Sequence, residues 1–467
     1  MSTLTDHVAG VTSETRAFYR TIAALTAADG PRYPLTALWG DQNMTVLKKV
    51  IDGLDDPRRQ IAAVRDTDLF GFNTTDAELT NLMVDWYVEC LKRRGWPLGS
   101  LPAAVEESLY SNPDHAVVRE GRRLSPDFLR TTAYALEITE RCRLADRRVA
   151  VLELGAGYGG LARTLRLFSP DLTSVVVDIP ETLYFSSLFL RLNFPQARVA
   201  YVTRPGMLGP DLLSYDLVFV PVSLAGELTG REFELFCNTA SLGEMRNSVI
   251  RYWMDMVERR MRVRYFFGVN RFLNTMRPWR DAYRAEENAC SVSFDAGWRM
   301  LHWELEPPFA RCPWLETTVT RNLEVVAERL PVLPPAAALE ASSRRLADSV
   351  ARQDWLVHYD DDNAMLLRDN VLAPDLTTTG PLFALWESIR LHANPRNVTL
   401  MLKYLNTLTR GKPFEEMYHY EALLRGWGHA APSPRPPRLT ATPVGRALRR
   451  MAPMRARRAW RRFRGRE

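Results

Sequence analysis

Residues 148–181 constrain the chain more than any other stretch, because a short apolar run, Val149 to Leu152, ends in four closely spaced glycines. Gly155, Gly157, Gly159 and Gly160 lead into a segment whose Leu161, Leu165 and Leu167 suit a helix lying on a sheet. Asp171 to Thr173 turn the chain, and Ser174 to Val177 form a second apolar run closed by Asp178. Strand, glycine turn, helix, strand and acid within about 30 residues is the size of one βαβ unit. Glycines at such a turn let the backbone approach a ligand where a Cβ would collide. An acid at the tip of the second strand can accept the hydroxyl hydrogens of a ribose. A nucleoside-bearing ligand is the direct reading, with a glycine-tight corner that binds nothing as the alternative.

Two nucleoside classes fit the spacing. Gly155, Gly157 and Gly160 satisfy G-x-G-x-x-G, the dinucleotide pattern, while Glu153, Gly155, Gly157 and Gly159 satisfy E-x-G-x-G-x-G, the pattern of S-adenosylmethionine (SAM) methyltransferases. Glu153 favours the second, since a carboxylate there balances a sulfonium and an ammonium but repels a pyrophosphate.

The 467 residues are enough for two or three domains, and 46% hydrophobic with 25% charged residues is ordinary globular composition. The five cysteines are scattered without a C-x-x-C pair, which argues against zinc or a disulfide framework and for a reducing compartment. No signal-peptide core and no apolar run near the roughly 18 residues of a membrane span are visible. A cytoplasmic protein is expected. The net charge of +6 divides unevenly: 12 arginines and one acid between Arg435 and Glu467 leave the preceding 434 residues at −5. An acidic body of this kind does not suit a nucleic-acid enzyme with a basic groove.

Four regions are expected. Residues 1–124 read as helical, with helices over 12–28, 44–54 and 77–94. Trp86, Tyr87 and Trp96 read as core aromatics rather than a stacking site. Residues 125–330 form an α/β unit, a Rossmann-like doubly wound sheet opened by a helix that Ser125 caps, with Pro126 at its first position. Strands are expected at 198–203, 215–221, 232–238 and 262–270, a helix at 246–261, and a late antiparallel pair, 298–305 with 317–326. The strand tips after Leu154, Val177, Pro221 and Cys237 should converge, because ligands of such sheets lie outside the carboxyl ends of the strands. Residues 331–430 read as a C-terminal helical module, suited to a lid, an oligomer interface or a docking surface. Residues 431–467 read as a disordered basic tail whose arginines alternate with Leu448, Met451, Met454, Trp460 and Phe463. Such a tail suits anionic lipid, acidic polysaccharide or RNA, or is simply a solvated cationic tail; a lipid target would place the protein peripherally at the inner membrane face.

The segments LELGAGYGG, VVVDIPETL, NTASLGEM and RYFFGVNR, in this order and spacing, resemble the sugar O-methyltransferase family of class I SAM-dependent methyltransferases over about 124–330. The resemblance implies a SAM cofactor, with Glu153, Gly155, Gly157 and Gly159 at its methionine end and Asp178 at its ribose. Tyr158, Ile179 and Asn238 would also lie on the cofactor side. It further implies a sugar or glycan acceptor, free or linked to a nucleotide or lipid, in polysaccharide or glycosylated-metabolite synthesis. The sequence departs from that pattern at Ala240 to Gly243, where many relatives carry an aromatic residue or glutamine.

Methyl transfer to a hydroxyl needs alignment and a proton acceptor. Glu244 is the first candidate base, although Ser241 and Glu244 also match the capping box S-x-x-E. His302, within an alternating strand, is the second. Ser241, Asn270 and Arg271 are candidates for meeting the acceptor. Asp360-Asp361-Asp362-Asn363 lacks metal-loop spacing and reads as a solvated turn, so a divalent metal has no motif behind it. An NAD-dependent sugar oxidoreductase and a non-catalytic scaffold of a glycan-assembly complex are the competing readings.

Overall fold

The structure is a computed structural model that describes residues 4–29, 41–65, 77–111, 116–144, 147–245, 247–271, 298–305 and 322–332. Its centre is an eight-stranded sheet. β3 (Ala150–Leu154), β4 (Thr173–Asp178), β5 (Val199–Tyr201), β6 (Leu217–Pro221), β7 (Glu232–Thr239) and β8 (Arg262–Arg271) run parallel; β10 (Asn322–Arg329) is antiparallel to both β8 and β9 (Trp298–Leu305). The strand order is β5-β6-β4-β3-β7-β8-β10-β9. From β3 the chain builds outward on one side through β4, then returns to the other side of β3 with β7. The order therefore switches between β3 and β7, where a doubly wound sheet binds its ligands. The expected Rossmann-like α/β sheet is present.

The central strands read as apolar runs because both of their faces are covered. Alternate residues of β3, Leu152 and Leu154 against Val151, enter different cores. One face packs against α8 (Asn247–Asp255) through Ile250, Trp253 and Met254. The other packs against α5 (Pro126–Cys142) and α6 (Gly160–Phe168) through Tyr134, Ile138, Leu161 and Leu165. α7 (Pro180–Asn193) lies on the same side over β4 and β6. Ser125 caps α5 by accepting the Phe128 N–H, and Pro126 occupies its first turn, as the sequence predicts.

The N-terminal helices share these cores. α1 (Leu4–Asp29) inserts Phe18 and Ile22 beside Val176 and Phe219, and lays Val11 near Tyr184 and Phe185 of α7. α2 (Asp41–Gly53) and α3 (Pro57–Arg65) contribute Leu47, Ile51, Ile61 and Val64 to the cluster that holds Tyr158. α4 (Ala77–Arg93) buries Tyr87 and Leu91 against α5, and Trp96 joins them. Tyr87 and Trp96 are thus core aromatics. A small hairpin, β1 (Val117–Arg119) with β2 (Arg122–Leu124), precedes α5.

Two expectations change. The helix at 246–261 is shorter: α8 ends at Asp255 and a wider π turn, Met256–Arg260, leads into β8. The antiparallel partner of β9, expected at 317–326, covers 322–329, so it runs three residues further; 317–321 lie outside the described residues. The expected C-terminal helices, the Asp360–Asn363 cluster and the basic tail lie outside the described residues. Among the described residues no helix is long and apolar enough to cross a membrane.

Candidate functional site

The carboxyl ends of β6, β4, β3 and β7 are adjacent, so the tips that the sequence expects to converge do so. From the tip of β3 the chain turns through Gly155, Gly157 and Gly159, at φ +71°, +60° and +92°. Only glycine adopts this left-handed backbone without strain. At Gly155 the requirement is doubled: a Cβ would stand 2.0 Å from Ser241 Oγ and 2.3 Å from its Cβ. The loop after β7 therefore lies directly on the glycine turn, and Ser241 and Gly155 meet across the switch point.

Asp178 closes the turn from β4. Its Oδ2 accepts the Gly157 N–H at 3.1 Å, and its Oδ1 accepts the Ile179 N–H at 2.8 Å and the Thr182 hydroxyl at 3.0 Å. A carboxylate has about four acceptor sites, so three are in use and one remains for a ligand hydroxyl. Burial pushes this carboxyl up to about 7, and the three donors counter only part of that effect. Ile179 contributes its backbone to the same arrangement. Thr182 escapes the sequence reading, although its position four residues after Asp178, on the first turn of α7, is the available signal.

Glu153, in the last turn-facing position of β3, is 3% exposed. It takes the Ala162 N–H of α6, while its Oε2 has no hydrogen-bond partner. Burial, and then the charge of Asp178, raise this carboxyl to about 8. An orphaned buried acceptor beside a second acid, at a backbone cradle without side chains, fits a cationic nucleoside ligand better than a pyrophosphate. SAM is such a ligand; Glu153, the glycine turn and Asp178 are the residues that would hold it.

The loop after β7 is held from both flanks by amides. Asn238, fully buried, donates to the Leu154 carbonyl at 2.7 Å and accepts the Leu242 N–H at 2.9 Å. Asn270, at the tip of β8, accepts the Gly243 N–H at 3.0 Å. Both asparagines thus fix the loop, where the sequence assigned one to cofactor and the other to acceptor. Between them Ala240 sits at φ +58°, donating its N–H to Val269 at 2.7 Å. A left-handed alanine is strained, and such strain persists where surrounding bonds impose it. Nothing in an alanine codon position signals this beforehand.

Glu244 ends a single 3-10 turn, Leu242–Glu244, with its N–H on the Ser241 carbonyl at 2.9 Å, and its side chain is half-buried. The capping box is not formed: Ser241 has helical backbone angles and makes no side-chain cap bond, and α8 starts only at Asn247. The half-buried Glu244 thus belongs to the loop after β7 rather than to the helix.

Tyr158 turns away from this role. Its hydroxyl donates to Asp127 of α5 at 2.5 Å, and Arg65 of α3 lies 4.9 Å from its ring centroid. Arg65 also binds Glu107 at 3.1 Å and Asp127 at 3.5 Å, with all three side chains at most 3% exposed. The N-terminal helices are thereby locked to the glycine turn by a buried charged network. Its members are 20 to 93 residues apart in sequence, so no local spacing announces it.

His302 is not brought to the cleft. It lies mid-strand in β9, paired with Val326, which pairs in turn with Phe267 and that with Cys237. Three strand spacings of about 4.8 Å separate its backbone from β7, on the order of 14 Å. Arg271 ends β8 opposite Asn322. Among the described residues no cluster of His, Cys, Asp and Glu could hold a metal ion. A cavity of about 430 Å³ opens at the opposite end of the sheet, lined by Arg147, Arg148, Arg231, Arg262 and Arg264. Each of these arginines already holds a carboxylate or a backbone carbonyl, so the cavity offers no ready anion site.

No family model matches the chain, and no curated protein is similar to it. Solved structures with a similar fold include a sarcosine dimethylglycine methyltransferase from Galdieria sulphuraria, at 12% identity and a TM-score of 0.30, over 44% of this chain and 86% of that one. The mitomycin 7-O-methyltransferase is 11% identical with a TM-score of 0.27, over 43% of this chain and 53% of that one. TrmN from Thermus thermophilus is 15% identical with a TM-score of 0.26, over 45% of this chain and 54% of that one. The chain thus spans about half of the last two. At these values no residue role transfers, and the fold assignment rests on the strand order itself.

Proposed function

We propose that this chain is a SAM-dependent methyltransferase that methylates a hydroxyl, and that the hydroxyl belongs to a sugar. The observation that carries the cofactor is the pair of buried carboxyls, Glu153 and Asp178, flanking a glycine turn with no neutralising cation among the described residues. That pair disfavours the oxidoreductase reading, since a pyrophosphate would meet both acids. The sugar rests on the resemblance of VVVDIPETL, NTASLGEM and RYFFGVNR to sugar O-methyltransferases.

When bound, the cofactor supplies an electrophilic methyl group. The chain's own work is then small. Asp178 has one acceptor site left for a ribose hydroxyl, and the glycine turn lets the ligand approach the main chain. Asn238 and Asn270 fix the loop that carries Ser241 and Glu244. Glu244 accepts the proton that the acceptor hydroxyl loses, and Ser241 orients that hydroxyl. The expected acceptors are free or nucleotide- or lipid-linked sugars of surface-glycan or glycosylated-metabolite synthesis. The Arg-rich tail contacts anionic lipid and keeps the enzyme near lipid-linked acceptors at the inner face of the membrane.

Calorimetric titration with S-adenosylhomocysteine and with NAD tests the cofactor. Binding of the first in the micromolar range, absent for NAD and weakened in Asp178→Ala, is the expected result; preference for NAD would sink the reading. Incubation with methyl-labelled SAM and a panel of sugars then tests the acceptor, and flotation with vesicles containing phosphatidylglycerol, with and without residues 431–467, tests the tail.

A further inference from the structure

Two acids lie at the glycine turn, and among the described residues no Arg, Lys or His forms an ion pair with either. Glu153 is the penultimate residue of β3, and Asp178 ends the neighbouring β4. Asp178 is satisfied by three donors, whereas Glu153 has one backbone N–H, from Ala162, and an oxygen with no partner. The charged or titratable groups facing Glu153 are Asp178 from β4 and Cys237 from β7; α6 presents only its backbone N–H. Cys237 gives no counter-charge, since burial and the nearby Glu153 hold its thiol protonated and it donates to the Leu152 carbonyl at 3.4 Å. Among the described residues no Arg, Lys or His forms an ion pair with Glu153.

An ionised carboxylate buried in this way is strongly disfavoured, and a protonated one is not. We propose that Glu153 keeps its proton while the site is empty and releases it when a cationic ligand settles at the glycine turn. The proton goes to solvent, the carboxylate gains a positive charge that no described residue supplies, and cofactor affinity becomes dependent on pH. The proposal rests on the SAM reading above, whose cofactor carries both a sulfonium and an ammonium. A raised carboxyl at about 8, beside one at about 7, agrees with it.

The test is calorimetry of the full chain with SAM and with S-adenosylhomocysteine between pH 6.5 and 8.5, in buffers of different ionisation enthalpy. The expected result is uptake of close to one proton by the buffer at pH 7, and SAM affinity that falls roughly twentyfold from pH 8.5 to pH 6.5, by linkage. Release with both ligands assigns the effect to the ammonium; release with SAM alone assigns it to the sulfonium. In Glu153→Gln the release disappears and affinity becomes flat with pH, below the wild-type value even at pH 6.5. Difference infrared spectroscopy of the unaltered protein, which should lose a protonated-carboxyl band on adding SAM, keeps the test independent of that variant's folding. SAM binding without proton release, or release that survives in Glu153→Gln and vanishes in Asp178→Asn, overturns the proposal. Absence of binding by either ligand at every pH overturns instead the cofactor reading beneath it.

Discussion

Tyr158, inside the glycine turn, donates its hydroxyl to Asp127 on the first turn of α5, 2.5 Å away and out of contact with solvent. Through Asp127 and Arg65 the turn is tied to α3. The N-terminal helices therefore belong to the site's scaffold. Tyr158→Phe removes one donor from a buried network and should lower unfolding free energy by about 1–3 kcal/mol. Urea denaturation measures this; cofactor affinity should weaken as well, since the same turn holds Gly157 against Asp178.

Gly155→Ala combines a left-handed backbone with a Cβ placed 2.0 Å from Ser241 Oγ. Cofactor binding should be lost. Adding Ser241→Gly removes the collision but leaves a backbone penalty of roughly 1–2 kcal/mol. Partial recovery of S-adenosylhomocysteine affinity in the double variant is the expected outcome, and an additive double-mutant cycle would disprove the contact.

Asn238→Ala strips partners from the Leu154 carbonyl and the Leu242 N–H at once. Each buried group left unpaired costs about 1–3 kcal/mol. Asn270→Ala removes one described bond, from the Gly243 N–H, and should cost less. Because both hold one loop, their effects on turnover should be non-additive. The comparison needs only thermal melts and steady-state rates of three variants.

Glu244→Gln should lower kcat by about 10²–10⁴-fold, the usual contribution of a general base, with little change in cofactor Kd. A Kd that shifts as much as kcat would remove Glu244 from the chemistry. His302→Ala, three strands away from β7, should leave kcat within about twofold of the parent, as surface-like changes outside the site do.

Two buried acids pull stability in opposite directions with pH. Arg65 and Arg163 outweigh the burial of Glu107 and hold its carboxyl down at about 2, so its contribution is present above the ordinary carboxylate range near 4.5 and is lost as pH falls toward 2. Glu153 is raised to about 8, so its contribution is full below 4.5 and is lost as pH rises toward 8. Without ligand, Glu153→Gln should therefore gain stability relative to the parent as pH rises from 5 to 8. Melting temperatures across that range decide the point: a constant difference would contradict a raised Glu153.

The strand-turn-helix-strand unit, the glycine turn and the acids at its two strand ends were legible in residues 148–181 because a βαβ unit is local. Its apolar runs, turn glycines and helix spacing lie within one window, and backbone chirality leaves few ways to assemble them. The cap at Ser125 was legible for the same reason. Tertiary structure decided the rest. Asn238 and Asn270 are interchangeable polar residues in the sequence; only the register of β7 against β3 and β8 makes them a clamp on one loop. Ser241 and Glu244 spell a capping box, but the pull of that clamp on Leu242 and Gly243 imposes a separate 3-10 turn and a strained Ala240. His302 has a catalytic side chain, and strand order alone puts its backbone at the far edge. Tyr158 looks like part of a ligand turn, yet a buried donor must find an acceptor, and the nearest is Asp127 from a helix 31 residues upstream. Local conformational limits write themselves into short stretches of sequence, whereas the satisfaction of buried polar groups depends on which distant elements share a core.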